Sequence, residues 1–147
     1  MADFVFNVAK GRAAHLASLP AANDGLIAVP LEAVGLETDA GLKDKGSLSA
    51  VLAGSTNEQT TMGRKALTGV VVAVDNANDW AWVDAADFTW SDATGADVAA
   101  IVVCYVPDVG VSADTAIIPL TKHDFAVEPS GADVIALVNA SGLYRAS

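Results

Sequence analysis

Residues 99–105, AAIVVCY, form the most concentrated run of β-branched and apolar residues in the sequence. Gly95 precedes this run and Pro107 follows it, and both residue types interrupt regular structure. The run is too short for a typical helix, and its continuous apolar character indicates a strand buried on both faces. We therefore expect a central strand around which the rest of the fold is arranged.

Further strand-like runs, separated by turns, flank this central run. Residues 70–74 and 80–83 enclose a loop rich in Asp and Asn, residue types that tolerate turn conformations, and this pattern predicts a β-hairpin. Residues 88–90 lead through the polar loop 91–95 into the central run, which predicts a second hairpin with a longer loop. The pattern is that of a mostly antiparallel β protein.

Two prolines lie inside strand-like runs. Pro30 interrupts residues 26–31, and Pro119 interrupts residues 116–121. Because the proline ring cannot donate a hydrogen bond to a neighbouring strand, both positions are typical of an edge strand or a bulge. We expect residues 26–31 to form an edge strand. Pro119 likewise suggests an edge for residues 116–121.

Helical signals are confined to short segments. Residues 1–20 combine an alternating arm with apolar positions at helical spacing, and Ser47 is a suitable cap for a short helix that Gly54 ends. No repeat or linker divides residues 1–147, which predicts a single β-rich domain with residues 1–20 as an N-terminal arm and helix. The predicted fold class is mainly β, an antiparallel sandwich or partly open barrel of about eight short strands.

The composition excludes several classes of protein. Of the 147 residues, 52% are hydrophobic, which is too apolar for a disordered chain, while the polar interruptions are too evenly spread for a membrane span. Eight basic and eighteen acidic residues give a net charge of −10, which disfavours nucleic-acid binding. The N-terminus lacks the basic and apolar regions of a signal peptide, so we expect synthesis in the cytoplasm.

Three features of the sequence contain residue types that catalyse reactions or bind metals in other proteins. Residues 75–79 gather Asp and Asn oxygens of the kind that calcium prefers, but a hairpin turn favours the same residues. His123 and Asp124 place a base beside an acid, but the Gly-x-Ser-x-Gly motif of many serine hydrolases is absent. Cys104 lies in the most apolar run and is expected to be an inert buried thiol. We therefore predict no catalytic, cofactor or metal site and no enzymatic activity.

Three phrases in the chain together carry a family resemblance. They are residues 6–12 (FNVAKGR), 117–125 (IIPLTKHDF) and 140–147 (ASGLYRAS), with residues 52–54 and 88–90 between them. This pattern resembles a family of small virion structural proteins of tailed bacteriophages, especially phages of actinobacteria. The similarity extends over most of the chain and consists of short phrases without a catalytic motif.

The resemblance implies a component of the virus particle, and we expect a capsid decoration (minor capsid) protein on the exterior of the virion. Its expected partners are the major capsid protein and further copies of itself, with a trimer favoured. The alternating apolar arm suggests an interface that includes Phe4, Phe6, Val8 and Arg12. A tail or head–tail connector component is the alternative within the same class.

A cell-surface carbohydrate-binding module is the alternative from a different class. Such a module would stack sugars on exposed aromatic rings, and the candidates are Trp80, Trp82 and Trp90. Aromatic residues at the ends of strands more often belong to the core, so this alternative ranks below the assembly role.

Overall fold

The computed structural model describes residues 2–146, which form ten strands in three antiparallel sheets and three short helices. The strands are β1 (Phe4–Val5), β2 (Gly25–Glu32), β3 (Lys65–Ala66), β4 (Val71–Asp75), β5 (Trp80–Asp84), β6 (Phe88–Trp90), β7 (Val98–Val106), β8 (Ile118–Val127), β9 (Val134–Ala136) and β10 (Tyr144–Ala146), and the helices are α1 (Ala13–Ala17), α2 (Asp39–Lys43) and α3 (Leu48–Val51). The sheet orders are β1-β8-β7-β2-β3, β10-β5-β4 and β6-β9. The mainly β fold class is confirmed, and none of the three sheets closes on itself.

The predicted central strand is confirmed as β7, the middle strand of the five-stranded sheet. Its side chains alternate between two separate clusters of buried residues. Ile101 and Val103 pack on one side with α1 and residues from the two smaller sheets. Val102 and Cys104 pack on the other side with Phe6 and side chains from α2 and α3. Because successive side chains of a strand point to opposite faces, a continuous apolar run is what a sheet covered on both faces requires.

Neither proline-containing run is an edge strand, so the edge prediction is wrong for both, whereas the bulge expected as the other possibility occurs at Pro119. The two-residue strands β1 and β3 lie outside β8 and β2 and form the edges of the sheet. The carbonyl of Pro30 accepts the Gln59 N–H on the side of β2 away from β7. The nitrogen of a strand residue points to the same side as its carbonyl, so the Pro30 nitrogen also faces away from β7. On that side β3 pairs only with Ile27 and Ala28, so no ladder hydrogen bond from Pro30 is needed. Pro119 lies at a bulge, where the register between β7 and β8 shifts.

The hairpin of β4 and β5 is confirmed, but the second predicted hairpin is wrong. Strand β6 pairs with β9, more than forty positions later, and not with β7. Gln59 holds the intervening loop through hydrogen bonds from its Nε2 to the carbonyls of Thr94 and Ala96, both 3.0 Å. The loop also bonds to the segment before β9 through Ala93 N–H and the Ala132 carbonyl. A local turn signal does not reveal a pairing of such long range.

The N-terminal segment forms β1, a 3-10 turn over Asn7–Ala9 and then α1. The short helix expected after Ser47 is confirmed as α3, with the Ser47 hydroxyl accepting the Ala50 N–H at 3.2 Å. Thr38 caps α2 in the same way through the Gly41 N–H. Within residues 2–146, no helix is long and apolar enough to cross a membrane.

Candidate functional site

The side chain of Lys122 is completely buried and attaches the N-terminal arm to the sheet. Lys122 lies on β8 opposite Val102, which places its side chain on the helix-covered face. Its Nζ lies 3.1 Å from Asp39 Oδ1 and 2.5 Å from Asp124 Oδ1, and it donates to the Ala2 carbonyl at 3.3 Å. We call Lys122, Asp39, Asp124 and Ala2 the arm clamp.

Asp39 links the arm to α2. Its Oδ2 accepts the Ala2 N–H at 2.8 Å, while Oδ1 faces Lys122. Desolvation acts to raise the pKa of Asp39, but the hydrogen bonds from Ala2 and Lys122 outweigh it and hold the pKa below its ordinary value. The carboxylate is therefore ionised at neutral pH, and the buried ammonium has a partner.

The structure places the four predicted interface residues in different environments. Phe6 is fully buried, while Phe4 and Val8 are half-buried. Arg12 is exposed, and its Nε donates to the Val8 carbonyl at 2.7 Å. In this conformation the arm packs against its own chain, and Phe6 would reach a partner only if the arm detached. A partner contact by these residues stays a prediction.

A cleft of about 580 Å³ lies between one face of the large sheet and the segment that contains β10. His123 lies in this cleft, with Nε2 2.9 Å from Thr121 Oγ1 and Nδ1 3.4 Å from Asp3 Oδ2. Its carboxylate partner is Asp3, whereas the adjacent Asp124 bonds to Lys122. The reason is the alternation of β8, which puts neighbouring side chains on opposite faces.

The order Thr121, His123, Asp3 follows the order of hydrogen bonds in a nucleophile–base–acid triad. Thr121 and His123 are two positions apart on one strand, so their contact follows from strand geometry alone. The Thr121 side chain is also buried against the core. These observations support a polar lining of the cleft and do not establish a catalytic role for His123.

A second cleft, of about 260 Å³, adjoins the first. Trp80 and Trp82 line this cleft, and Ser141 and Arg145 line both clefts. The Arg145 guanidinium lies 4.1 Å from the centre of the Trp80 ring, a cation–π contact. Arg145 lies opposite Trp82 in the pairing of β10 with β5. The two clefts therefore adjoin at β10 and share Ser141 and Arg145 in their linings.

A tight turn before β10 brings Ser141 and Arg145 to this surface. Gly142 has a positive φ of 82°, and a Cβ atom there would lie 2.3 Å from the Val83 carbonyl oxygen. Leu143 N–H donates to that same carbonyl at 2.7 Å, and Gly142 N–H donates to the Asn139 carbonyl. Only glycine fits this close approach of two backbones.

The remaining residues considered in the sequence have structural surroundings. Asp75 Oδ1 accepts the backbone N–H groups of Ala77 and Asn78, and the side-chain hydrogen bond from Asn78 is the main cause of its lowered pKa. No group of three or more His, Cys, Asp or Glu residues with metal-binding geometry occurs in the described part of the chain. Burial raises the pKa of the Cys104 thiol well above its ordinary value. Trp90 is buried and donates from Nε1 to the Gly63 carbonyl at 2.9 Å.

The surface at Arg145 could not have been found from the sequence, because it joins β5 to a strand more than sixty positions later. The sequence shows Trp80 and Trp82 as a pair on one strand, but it does not show that Arg145 contacts Trp80. Comparisons with protein-family models, with curated proteins and with solved structures found no match to this chain.

Proposed function

We propose that this protein is a virion structural protein of a tailed bacteriophage that binds the outer surface of the capsid as a decoration protein. The resemblance of residues 6–12, 117–125 and 140–147 to small phage structural proteins carries this proposal. The protein would act by cementing, because many weak contacts repeated by the symmetry of a shell add up to strong attachment.

The arrangement of the three phrases in the fold supports the proposal. The first contacts the second where Phe6 N–H donates to the Leu120 carbonyl at 2.9 Å. The third contains Arg145, which lines the same cleft as His123 of the second. Phrases that are distant in sequence are therefore neighbours in space and belong to one structural unit.

The surface also suits a protein that assembles with others. The net charge of −10 keeps free copies apart before assembly. Large apolar side chains more than half exposed occur on several loops and strands, and covering them with another protein would remove apolar surface from water. They are Val34, Val71, Val74, Val109, Val111, Ile135 and Leu137.

Quantitative mass spectrometry of purified phage particles that encode this chain tests the proposal. A copy number equal to that of the major capsid protein, or a simple fraction such as one third, is expected for a decoration protein. A ratio of a few per cent would overturn the decoration role in favour of the tail or connector alternative. Absence from the particle would overturn any virion role.

A further inference from the structure

We propose that the surface of the two adjoining clefts binds a neutral oligosaccharide. The clefts have volumes of about 580 and 260 Å³ and share Ser141 and Arg145 in their linings, so a chain of several sugars is the size of ligand that would occupy both. This inference does not depend on the virion role proposed above, since the site belongs to the isolated chain.

Aromatic side chains line both parts of the surface. Trp80 and Trp82 line the smaller cleft, and Phe88, Phe125 and Tyr144 are among the residues that line the larger one. The C–H faces of pyranose rings pack against aromatic rings, which bury apolar area while leaving sugar hydroxyls free for hydrogen bonds. Trp90 takes no part, because it is buried and bonded to Gly63.

Polar groups line the same clefts as these rings and match the chemistry of hydroxyls, which donate and accept at once. Donors are available from Arg145, whose guanidinium is held over the Trp80 ring and is exposed. His123 and Ser141 also line the larger cleft. Asp3 supplies a carboxylate acceptor at the end of the cleft nearest the arm.

The charge distribution favours a neutral ligand over an anionic one. Two acidic residues whose carboxylates are not paired with a lysine or arginine, Asp3 and Asp75, line the two clefts, against the single permanent cation of Arg145. The chain as a whole carries a charge of −10, so the average potential repels anions. A sugar without acid groups avoids this repulsion and can still form hydrogen bonds with the polar groups of the clefts.

Titration of the full chain with hexasaccharides, followed by tryptophan fluorescence and by calorimetry, tests the proposal. The neutral probes are maltohexaose, cellohexaose, mannohexaose, β-1,4-galactohexaose and arabinohexaose, and the anionic probe is hexagalacturonate. We expect at least one neutral probe to bind with a Kd below about 1 mM and to change the fluorescence of Trp80 and Trp82.

Two variants test whether binding occurs at this surface. Arg145→Gln and Trp82→Phe are expected to weaken binding of that probe by about tenfold or more, a loss of about 1.4 kcal/mol. Arg12→Gln removes an exposed arginine outside both clefts and is expected to leave the Kd unchanged. Circular dichroism and thermal melting confirm that each variant is folded.

Three results would overturn the proposal. The first is that none of the neutral probes binds with a Kd below about 1 mM. The second is that hexagalacturonate binds more tightly than every neutral probe, which would indicate an anion site. The third is that Arg145→Gln and Trp82→Phe, both folded, bind the sugar as well as the unmodified chain does.

Discussion

The Nζ atom of Lys122 and the Oδ1 atom of Asp39 lie 3.1 Å apart, although the two residues are separated by 83 positions in the chain. The Lys122 side chain has no exposed surface, whereas the Asp39 side chain is 22% exposed and that of Asp124 is 39% exposed. The two signs of charge are therefore unequally desolvated. Removing the carboxylates should therefore cost more unfolding free energy than removing the ammonium.

Substitutions in the arm clamp should show this asymmetry. The double variant Asp39→Asn/Asp124→Asn leaves an ammonium buried without a counter-charge, and we expect it to lose about 3 kcal/mol of unfolding free energy. Lys122→Met leaves two carboxylates that still reach water and fills the space with an apolar chain, so the expected loss is about 1 kcal/mol. Urea denaturation measures both values, and a larger loss for Lys122→Met than for the double variant would contradict the asymmetry.

The dependence of stability on pH follows from the lowered pKa of Asp39. A carboxyl group whose folded pKa lies below its unfolded pKa stabilises the fold above the unfolded value and loses this contribution as pH falls through the folded one. The carboxyl of Asp114, whose pKa is lowered mainly by its hydrogen bond from Arg64, acts in the same direction. We expect the urea midpoint to be constant above about pH 5 and to fall below about pH 4.

The variant Asp39→Asn provides the test of this assignment. It should lower the urea midpoint at pH 7 and flatten the fall between about pH 5 and pH 3, since it removes one group that titrates. Asp97→Asn serves as the control, because Asp97 is exposed and its side chain makes no hydrogen bond among residues 2–146. An Asp39→Asn variant with an unchanged pH profile would show that Asp39 does not contribute.

The sequence predicted the elements that depend on local signals. The central strand follows from an apolar run with a β-branched core, the hairpin of β4 and β5 from its Asp- and Asn-rich turn, and α3 from the Ser47 cap. These signals act over a few residues, so they are visible before the chain folds.

The errors concern pairings between distant segments. The proline in β2 indicated an edge, but the two-residue strand β3 occupies that side and leaves room for the proline. The turn after β6 indicated a hairpin, but Gln59 holds the loop and β9 supplies the partner. The clefts could not be predicted either. They are bounded by the arm, β8 and β10, and the sequence does not show that these segments are neighbours.

The edge strand β4 offers a test of association. It pairs only with β5, and the exposed fractions of Val71 and Val74 are 51% and 69%. An apolar edge without lysine or proline is open to pairing with another chain. We expect Val74→Lys to reduce aggregation on heating, measured by light scattering, while the melting temperature changes little.

Val34→Lys is the matched control for this edge effect. Val34 is even more exposed, at 79%, but lies in a loop and has no free strand edge beside it. It should therefore change aggregation less than Val74→Lys does. Equal effects of the two substitutions would mean that added charge alone, and not the protected edge, reduces association.

Alanine substitutions at two glycines distinguish the stability cost of a positive φ from the cost of a steric clash. Gly131 and Gly142 both have positive φ, 89° and 82°, but a Cβ atom would meet nothing within 4 Å at Gly131 and would lie 2.3 Å from the Val83 carbonyl oxygen at Gly142. Gly131→Ala should therefore cost only the conformational penalty, about 1 kcal/mol. Gly142→Ala should cost at least about 2 kcal/mol more, because the Leu143 N–H bond to Val83 must also break. Urea unfolding measures the two losses, and equal values would show that the turn before β10 moves freely enough to admit a side chain.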